Sequence, residues 1–496
     1  MAKGAVWVIL QRLAVRLIGL ASTLILVRLL APADFGIVAL ATAFSTGLDV
    51  MMELGFDFAL INERGAQRER YDTAWTLSIL RGTVIGAALA AGAWPLAQFY
   101  GDPRLLEVMV WLGVAFFIAG FQNIGIVDFR KDFRLDKEFN LLVWSKVLSF
   151  TVTIALAWIF RDYRALIAGI VAGKIATVAL SFAMHPFRPR LRLKDSAGFL
   201  HFSKWLLVVN LVNLVNARVD RVILGKIAGT TSVGIFSVAH EISTLATTEL
   251  IWPIARALFP GYAKIAAEPA RLPKAFLDAT GMIMLLSAPV TAGIALMADP
   301  IVRIALGPEW LLAIPVIQIL ALYGFLDMPT ANVKALFLAL GRPELVAWRD
   351  IPSAIVLVPA LIVGASMAGA VGAAWALVLS AGVTFVVAFA FLRRSIGVGI
   401  GAIARVTWRP FLATLIMAAA IAGLDREMPM PEGGGVALLL STVIRCLFGA
   451  AVYAAASLGV WAMVGRPAGA EADALAFVAK ALKRACLPRD KSAPIL

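Results

Sequence analysis

The chain has 496 residues, 61% hydrophobic and only 15% charged, with mean hydropathy +0.88 and a formal net charge of +14. A soluble domain carries about a quarter charged residues, so a water-soluble globular fold is excluded. Apolar runs of about twenty residues recur along the whole length, as helices need when hydrocarbon offers their backbones no partner. The fold class is therefore all-α, a polytopic membrane protein.

Fourteen helices are predicted, over residues 5–30, 36–61, 74–97, 105–127, 139–160, 164–184, 199–228, 233–265, 276–298, 311–338, 345–364, 368–392, 405–424 and 435–464. Proline and glycine mark the gaps, as at Ala31-Pro32, Gly101-Asp102-Pro103, Ala298-Asp299-Pro300 and Gly341-Arg342-Pro343. The even-numbered connections are basic: Arg64, Arg68 and Arg70; Arg130, Lys131, Arg134 and Lys137; Arg188, Arg190, Arg192 and Lys194. Later ones carry Lys264, Arg271 and Lys274, then Arg342 and Arg349, then Arg393, Arg394, Arg405 and Arg409. The odd connections are short and hold only Arg104, Arg161, Arg164, Arg303 and Arg426. Cations collect on the cytoplasmic side, which places both termini in the cytoplasm and explains the net charge without a nucleic-acid partner. Arg12 and Arg16 interrupt the first apolar run, and no small-residue cleavage site follows it, so a cleavable signal peptide is not expected.

Segment 24–41, LILVRLLAPADFGIVALA, lies over 222–239, VILGKIAGTTSVGIFSVA, without a gap. Arg28 meets Lys226, Ala31 meets Gly229, and Gly36-Ile37 meets Gly234-Ile235 at a shift of 198 residues. Helices seven and eight thus repeat helices one and two in the same orientation, an arrangement used by transporters with a substrate path between the halves. The expected organisation is a six-helix bundle over 1–185, a basic linker at 186–198, a second six-helix bundle over 199–395, two further helices within 396–465, and a cytoplasmic tail at 466–496. The tail carries Leu475, Val478 and Leu482 on one face against Lys480, Lys483 and Arg484, either an interfacial helix or a solvated end.

Ionisable groups deep in a span cost roughly 2.5–3.5 kcal/mol each unless they face a polar cavity. Arg81, Lys146 and Lys334 stand near a cytoplasmic end and can snorkel. Arg12 and Arg16, one turn apart, cannot escape so easily, and Lys174 and Arg445 are similarly deep. The seventh helix adds the polar run Asn210, Asn213, Arg218, Asp220 and Arg221. Arg12, Arg16, Lys174, Asn210, Asn213, Arg218 and Arg221 are the candidates for a cationic cavity, whose guanidinium forks suit phosphate. Asp49, Glu53 and Asp57 form an acidic stripe on the second helix. With Asp220, Glu241 and Glu249 they are candidates for structural ion pairs or for binding a driving H+ or Na+. His240 reads as a packing residue, and Asp327 is a lone buried acid without an evident role.

No phosphate-cradling glycine loop, nucleophile elbow or His-Cys cluster occurs, and the two cysteines, Cys446 and Cys486, have no metal-ligand spacing. The outer connections are too short to hold a catalytic site. An enzyme is not expected, nor a metal or other cofactor.

The block Arg28-Leu-Leu-Ala-Pro-Ala-Asp34-Phe-Gly36, followed by Tyr71-Asp-Thr-Ala-Trp75 and Arg81-Gly82, resembles a known family. So do Gly120-Phe-Gln-Asn-Ile-Gly125, Arg130-Lys-Asp-Phe133, Lys137-Glu-Phe139, Gly234-Ile-Phe-Ser-Val-Ala239, Thr247-Thr-Glu249, Pro253-Ile254 and Leu258-Phe-Pro260. Their order and spacing are similar to the polysaccharide transporters, the Wzx-type oligosaccharide flippases, of the multidrug/oligosaccharidyl-lipid/polysaccharide superfamily. Tyr163-Arg164 departs from it, since relatives often place an aromatic residue after the tyrosine.

The resemblance implies two rocking six-helix bundles plus two C-terminal helices in a bacterial inner membrane. It also implies an undecaprenyl-diphosphate-linked oligosaccharide unit moved to the periplasmic leaflet for lipopolysaccharide O-antigen or exopolysaccharide. Polymerase and export proteins would be partners beside the membrane lipids. The alternatives are a cation-coupled drug or metabolite exporter of the same superfamily and a membrane polysaccharide polymerase or ligase. The cleft between helices one, two, seven and eight is the expected site.

Overall fold

The computed structural model describes residues 2–52, 60, 68–193, 203–245, 247–431, 435–467, 469–476 and 479, and among them there is no β-strand. Among the described residues eleven helices are long and apolar enough to cross a membrane, or twelve if the pair bent by 67° at residues 121–123 is one span. Two of these helices leave helical geometry in their middles, at Gly229 and at Ala368–Gly369. The first break falls in the gap expected between predicted helices seven and eight, and the second beside the gap expected between helices eleven and twelve.

By contact the chain forms two compact units. The first comprises 1–238, 305–312 and 361–373, and the second 239–304, 313–360 and 374–496.

In the first unit, α1 (Ala2–Leu29) packs along α6 (Leu135–Phe160), with the Trp7 and Phe139 rings 5.1 Å apart. Proline opens α2 (Pro32–Met51), where Ala31 is extended and its N–H donates to Asp34 Oδ2 at 3.2 Å. The 33-residue α3 (Arg68–Tyr100) is about 50 Å long at 1.5 Å per residue, well beyond the ~30 Å of hydrocarbon. It packs against α4 (Arg104–Gly120), which continues through a bend into the short α5 (Val127–Lys131). The last helix of the predicted first bundle is α7 (Arg164–Met184), packed on α6 and α4. Hydroxyls within these helices, such as Thr73, Thr76, Ser78 and Thr153, donate to carbonyls four residues back. That satisfies them where water is absent.

Residues 185–193 run extended beside the first turns of α3. The Arg190 and Arg192 amides donate to Asp72 Oδ1 and Thr76 Oγ1, both at 2.9 Å, and the Arg192 guanidinium meets Glu69 at 3.0 Å. Asn123 Nδ2 and Arg68 Nη2 donate to the Phe187 and Arg188 carbonyls at 2.8 and 3.0 Å. The described part of the basic linker is thus a bound strap. Tyr71 donates to Asp128 at 2.6 Å, and His185 lies 3.6 Å from the same carboxylate. Burial pushes the His185 imidazole below its ordinary value, as do Lys137, Arg134 and Arg188, and Asp128 only partly offsets this.

The helix α8 (Ser203–Ser243) breaks at Gly229, whose φ of 77° only glycine adopts readily. This break falls 198 residues after Ala31, where α1 gives way to α2. The sequence repeat therefore places a helix break at the same register in both halves, although Ala31 is extended and Gly229 has a positive φ. Gly36 and Gly234, equivalent in that register, touch. A Cβ on Gly36 would lie 1.7 Å from the Thr230 carbonyl oxygen, and one on Gly234 would lie 1.8 Å from the Pro32 carbonyl oxygen. Thr230 is itself the equivalent of Pro32, so the contact is reciprocal.

The second unit holds α9 (Trp252–Ile265), α10 (Leu272–Leu296), α11 (Ala313–Asp327), α12 (Val333–Ala339), most of the broken α13 (Pro343–Ile396), α14 (Ile400–Glu427) and α15 (Val436–Met463). Phe276, Phe337, Phe389 and Tyr262 form its main core, and Asn332 donates to the Tyr262 hydroxyl at 2.9 Å. Arg445, deep in the last predicted helix, is buried and pairs with Asp425 at 2.6 Å. Arg409, expected in a basic loop, is buried in α14 and pairs with Glu471 of the tail at 3.2 Å. The lone acid Asp327 ends α11 and accepts from Thr330 Oγ1 at 3.4 Å.

Candidate functional site

Two features of the first unit have the geometry of a working site. The first is a two-fold grip where α1 passes into α2. Arg28 Nε donates to the Ala305 carbonyl at 3.1 Å, and the buried Trp310 indole donates to the Val27 carbonyl at 3.0 Å. Lys226, equivalent to Arg28, donates to the Phe99 carbonyl and lies 4.3 Å over that ring. Tyr100 completes this half by donating to the Val222 carbonyl at 3.1 Å. In each half a cation near a helix break holds a backbone carbonyl of another segment, and an aromatic side chain of that segment, Trp310 or Tyr100, donates to a carbonyl of the helix in return. Asp102, two residues beyond Tyr100, pairs with Arg104 and bonds the Thr230 hydroxyl. Burial raises its pKa, but the Arg104 guanidinium at 2.8 Å outweighs this and, with the Thr230 hydroxyl, holds the carboxyl below its ordinary range.

The second feature is a polar cavity of about 260 Å³ lined by Asp49, Arg81, Phe116, Gln122, Asn123 and Lys174 among others. Arg81 donates to the Asp49 carboxylate and, at 3.0 Å, to the Asp49 carbonyl, tying α3 to α2. Lys174 Nζ lies 5.5 Å from the Phe116 ring centroid, a cation–π distance. Of the residues singled out in the sequence, the cavity unites Asp49 and Lys174. It adds Arg81, read there as a snorkelling residue, and Gln122, which charge counting does not flag.

The other candidates are dispersed. Arg12 and Arg16 are half-buried on α1, each with interaction partners. Asp220 is buried and pairs with the half-buried Arg221 at 3.2 Å, with Arg218, also half-buried, one turn before Arg221. Glu241 is half-buried and Glu249 exposed, and both have partners. Glu53 and Asp57, and the side chains of Asn210 and Asn213, lie outside the described residues.

The family model described as polysaccharide biosynthesis protein matches residues 25–315. The teichuronic acid biosynthesis protein TuaB of Bacillus subtilis (strain 168) is 24% identical over 372 residues, covering 74% of this chain and 77% of that protein. The lipopolysaccharide biosynthesis protein WzxC of Escherichia coli (strain K12) is 24% identical over 377 residues, covering 74% and 76%. Among solved structures, the lipid II flippase MurJ in an inward closed conformation superposes with TM-score 0.71 at 14% identity, over 92% of this chain and 99% of that one. That likeness is one of fold. With residues 25–315, more than half its length, matched by the family model, the chain belongs to the polysaccharide biosynthesis protein family.

Proposed function

We propose that the protein is a flippase. It moves an undecaprenyl-diphosphate-linked oligosaccharide from the cytoplasmic to the periplasmic leaflet of a bacterial inner membrane, for lipopolysaccharide O-antigen or exopolysaccharide assembly. The observation that carries this reading is the reciprocal grip around Gly36 and Gly234, in a chain of a polysaccharide biosynthesis family. A transporter built from parallel repeats must close one end of its path while the other is open, and a contact that engages equivalent residues of both repeats can close that end as a unit. The loop charges put the grip on the periplasmic side and both termini in the cytoplasm. Substrate then enters from the cytoplasm, and release requires the four carbonyl-held contacts and the glycine contact to part together.

Deleting the gene tests the reading. The expected result is accumulation of lipid-linked repeat units on the inner leaflet and loss of surface polysaccharide, both restored by the intact gene. Normal surface polymer in a strain with no second transporter of this kind overturns it.

A further inference from the structure

Most polar groups around the cavity of the first unit have structural partners. Asn123 is fully engaged, taking the Gly125 N–H at 3.0 Å on its side-chain oxygen and giving its amide to Phe187, and Ser78 donates to the Ala74 carbonyl. What remains is a surplus of donors. Arg81 Nε is buried and makes no hydrogen bond. Lys174 has the Phe116 ring but no carboxylate among the described residues, and the Gln122 side chain makes no hydrogen bond to them. Among the described lining residues Asp49 is the single acid against two cations. Such a surplus calls for a ligand that only accepts, an oxyanion with two or more terminal oxygens. The volume of about 260 Å³ lies below the ~300–1,000 Å³ usual for small-molecule pockets, so the cavity fits one charged group and not an oligosaccharide.

Resting on the flippase reading, we propose that this cavity is an oxyanion subsite for a single charged group of the lipid-linked substrate. Asp49 is its internal stand-in. In the empty state the Asp49 carboxylate occupies Arg81, so that no bare guanidinium faces a low-dielectric site. An arriving oxyanion takes that place, with Lys174 and Gln122 as further donors, and Asp49 moves aside. Because Asp49 lies on α2 and Arg81 on α3, the exchange loosens one of the ties between those helices when the site fills. Occupancy is thereby coupled to the helix that also carries Gly36. Two sources supply the same chemistry, the diphosphate of the carrier lipid and the carboxylate of an acidic sugar.

The test is binding of pyrophosphate and, separately, of glucuronate to the purified full-length protein in nanodiscs, by calorimetry. Asp49→Asn removes the competitor and is expected to bind about tenfold more tightly, the effect of one charge-assisted hydrogen bond, whereas Lys174→Gln binds about tenfold more weakly and Lys174→Arg recovers. Preference for pyrophosphate assigns the lipid diphosphate, and preference for glucuronate assigns an acidic sugar. Binding of neither anion overturns the subsite, as does unchanged or weaker binding by Asp49→Asn, or unchanged binding by Lys174→Gln, in variants that melt as the wild type does. Export in cells separates this failure from the other. If polymer export requires the gene but Lys174→Gln and Asp49→Asn bind anions as the wild type does, the flippase reading stands and the subsite falls.

Discussion

Gly36→Ala puts a methyl group where the structure has no room for one. Its Cβ would stand 1.7 Å from the Thr230 oxygen, 2.6 Å from the Thr230 carbonyl carbon and 2.9 Å from the Gly234 nitrogen. All three are backbone atoms, so no side-chain rotation relieves the clash. Ordinary contact begins at 3.4 Å, and α2 must withdraw by roughly the 1.7 Å difference, 3.4 less 1.7. Overpacking of this kind costs about 1–3 kcal/mol, and a bias of that size shifts a two-state equilibrium by roughly 5- to 150-fold. The closed end carries the strain, so the shift favours the state in which that end is open.

The assay replaces Cys446 and Cys486 by serine, installs Leu40→Cys one turn beyond Gly36, and measures labelling by a membrane-impermeant maleimide from outside the cell. Leu40 is fully buried, so labelling is expected to be slow with Gly36 and several-fold faster with Gly36→Ala. Because one separation relieves both clashes, Gly36→Ala and Gly234→Ala together should cost clearly less than their sum. Unchanged labelling in a variant that melts normally, or strict additivity of the two, refutes the reasoning.

Removing the two cations of the grip, Arg28→Gln and Lys226→Gln, should raise the same labelling, each by a similar amount because the two contacts are equivalent. The His185 imidazole is held below its ordinary value near 6.5, so the folded form disfavours its proton. The stability it lends the strap is therefore present above that value and lost as pH falls through its folded pKa. The protection factors of the Arg190 and Arg192 amides, observed exchange set against the intrinsic rate at each pH, should fall on acidification below about 6.5, and the fall should vanish in His185→Asn. Glu471→Gln leaves the buried Arg409 guanidinium without its counter-ion, a loss of about 3–5 kcal/mol. It should release the tail to limited proteolysis before the membrane domain melts.

Much of this architecture could be read from residue order alone. The Ala31-Pro32 break and the 198-residue register foretold the break at Gly229, because backbone geometry follows proline, glycine and spacing locally. Partners brought together by folding were harder to read. Depth along one helix measures distance to water, which made Arg81 look like a snorkelling side chain, and says nothing of Asp49 on the neighbouring helix. Arg409 looked like one more loop cation because its partner, Glu471, is 62 residues away and carries no motif. The family segments turn out to be largely the fittings of two devices. Tyr71, Asp72 and Asn123 hold the strap, and Asp34, Phe35 and Gly36 build the grip, where the Phe35 ring meets Trp310 edge-on at 5.4 Å.

Lipid movement by the purified protein is the most direct test. Proteoliposomes containing the full chain and a polyprenyl-diphosphate-linked saccharide are treated with an impermeant glycosidase, and the fraction of saccharide it can reach is followed over time. The account predicts that wild-type protein brings all of the saccharide within reach, whereas protein-free vesicles leave the inner-leaflet half protected. Protection that persists with wild-type protein of proven fold would contradict it.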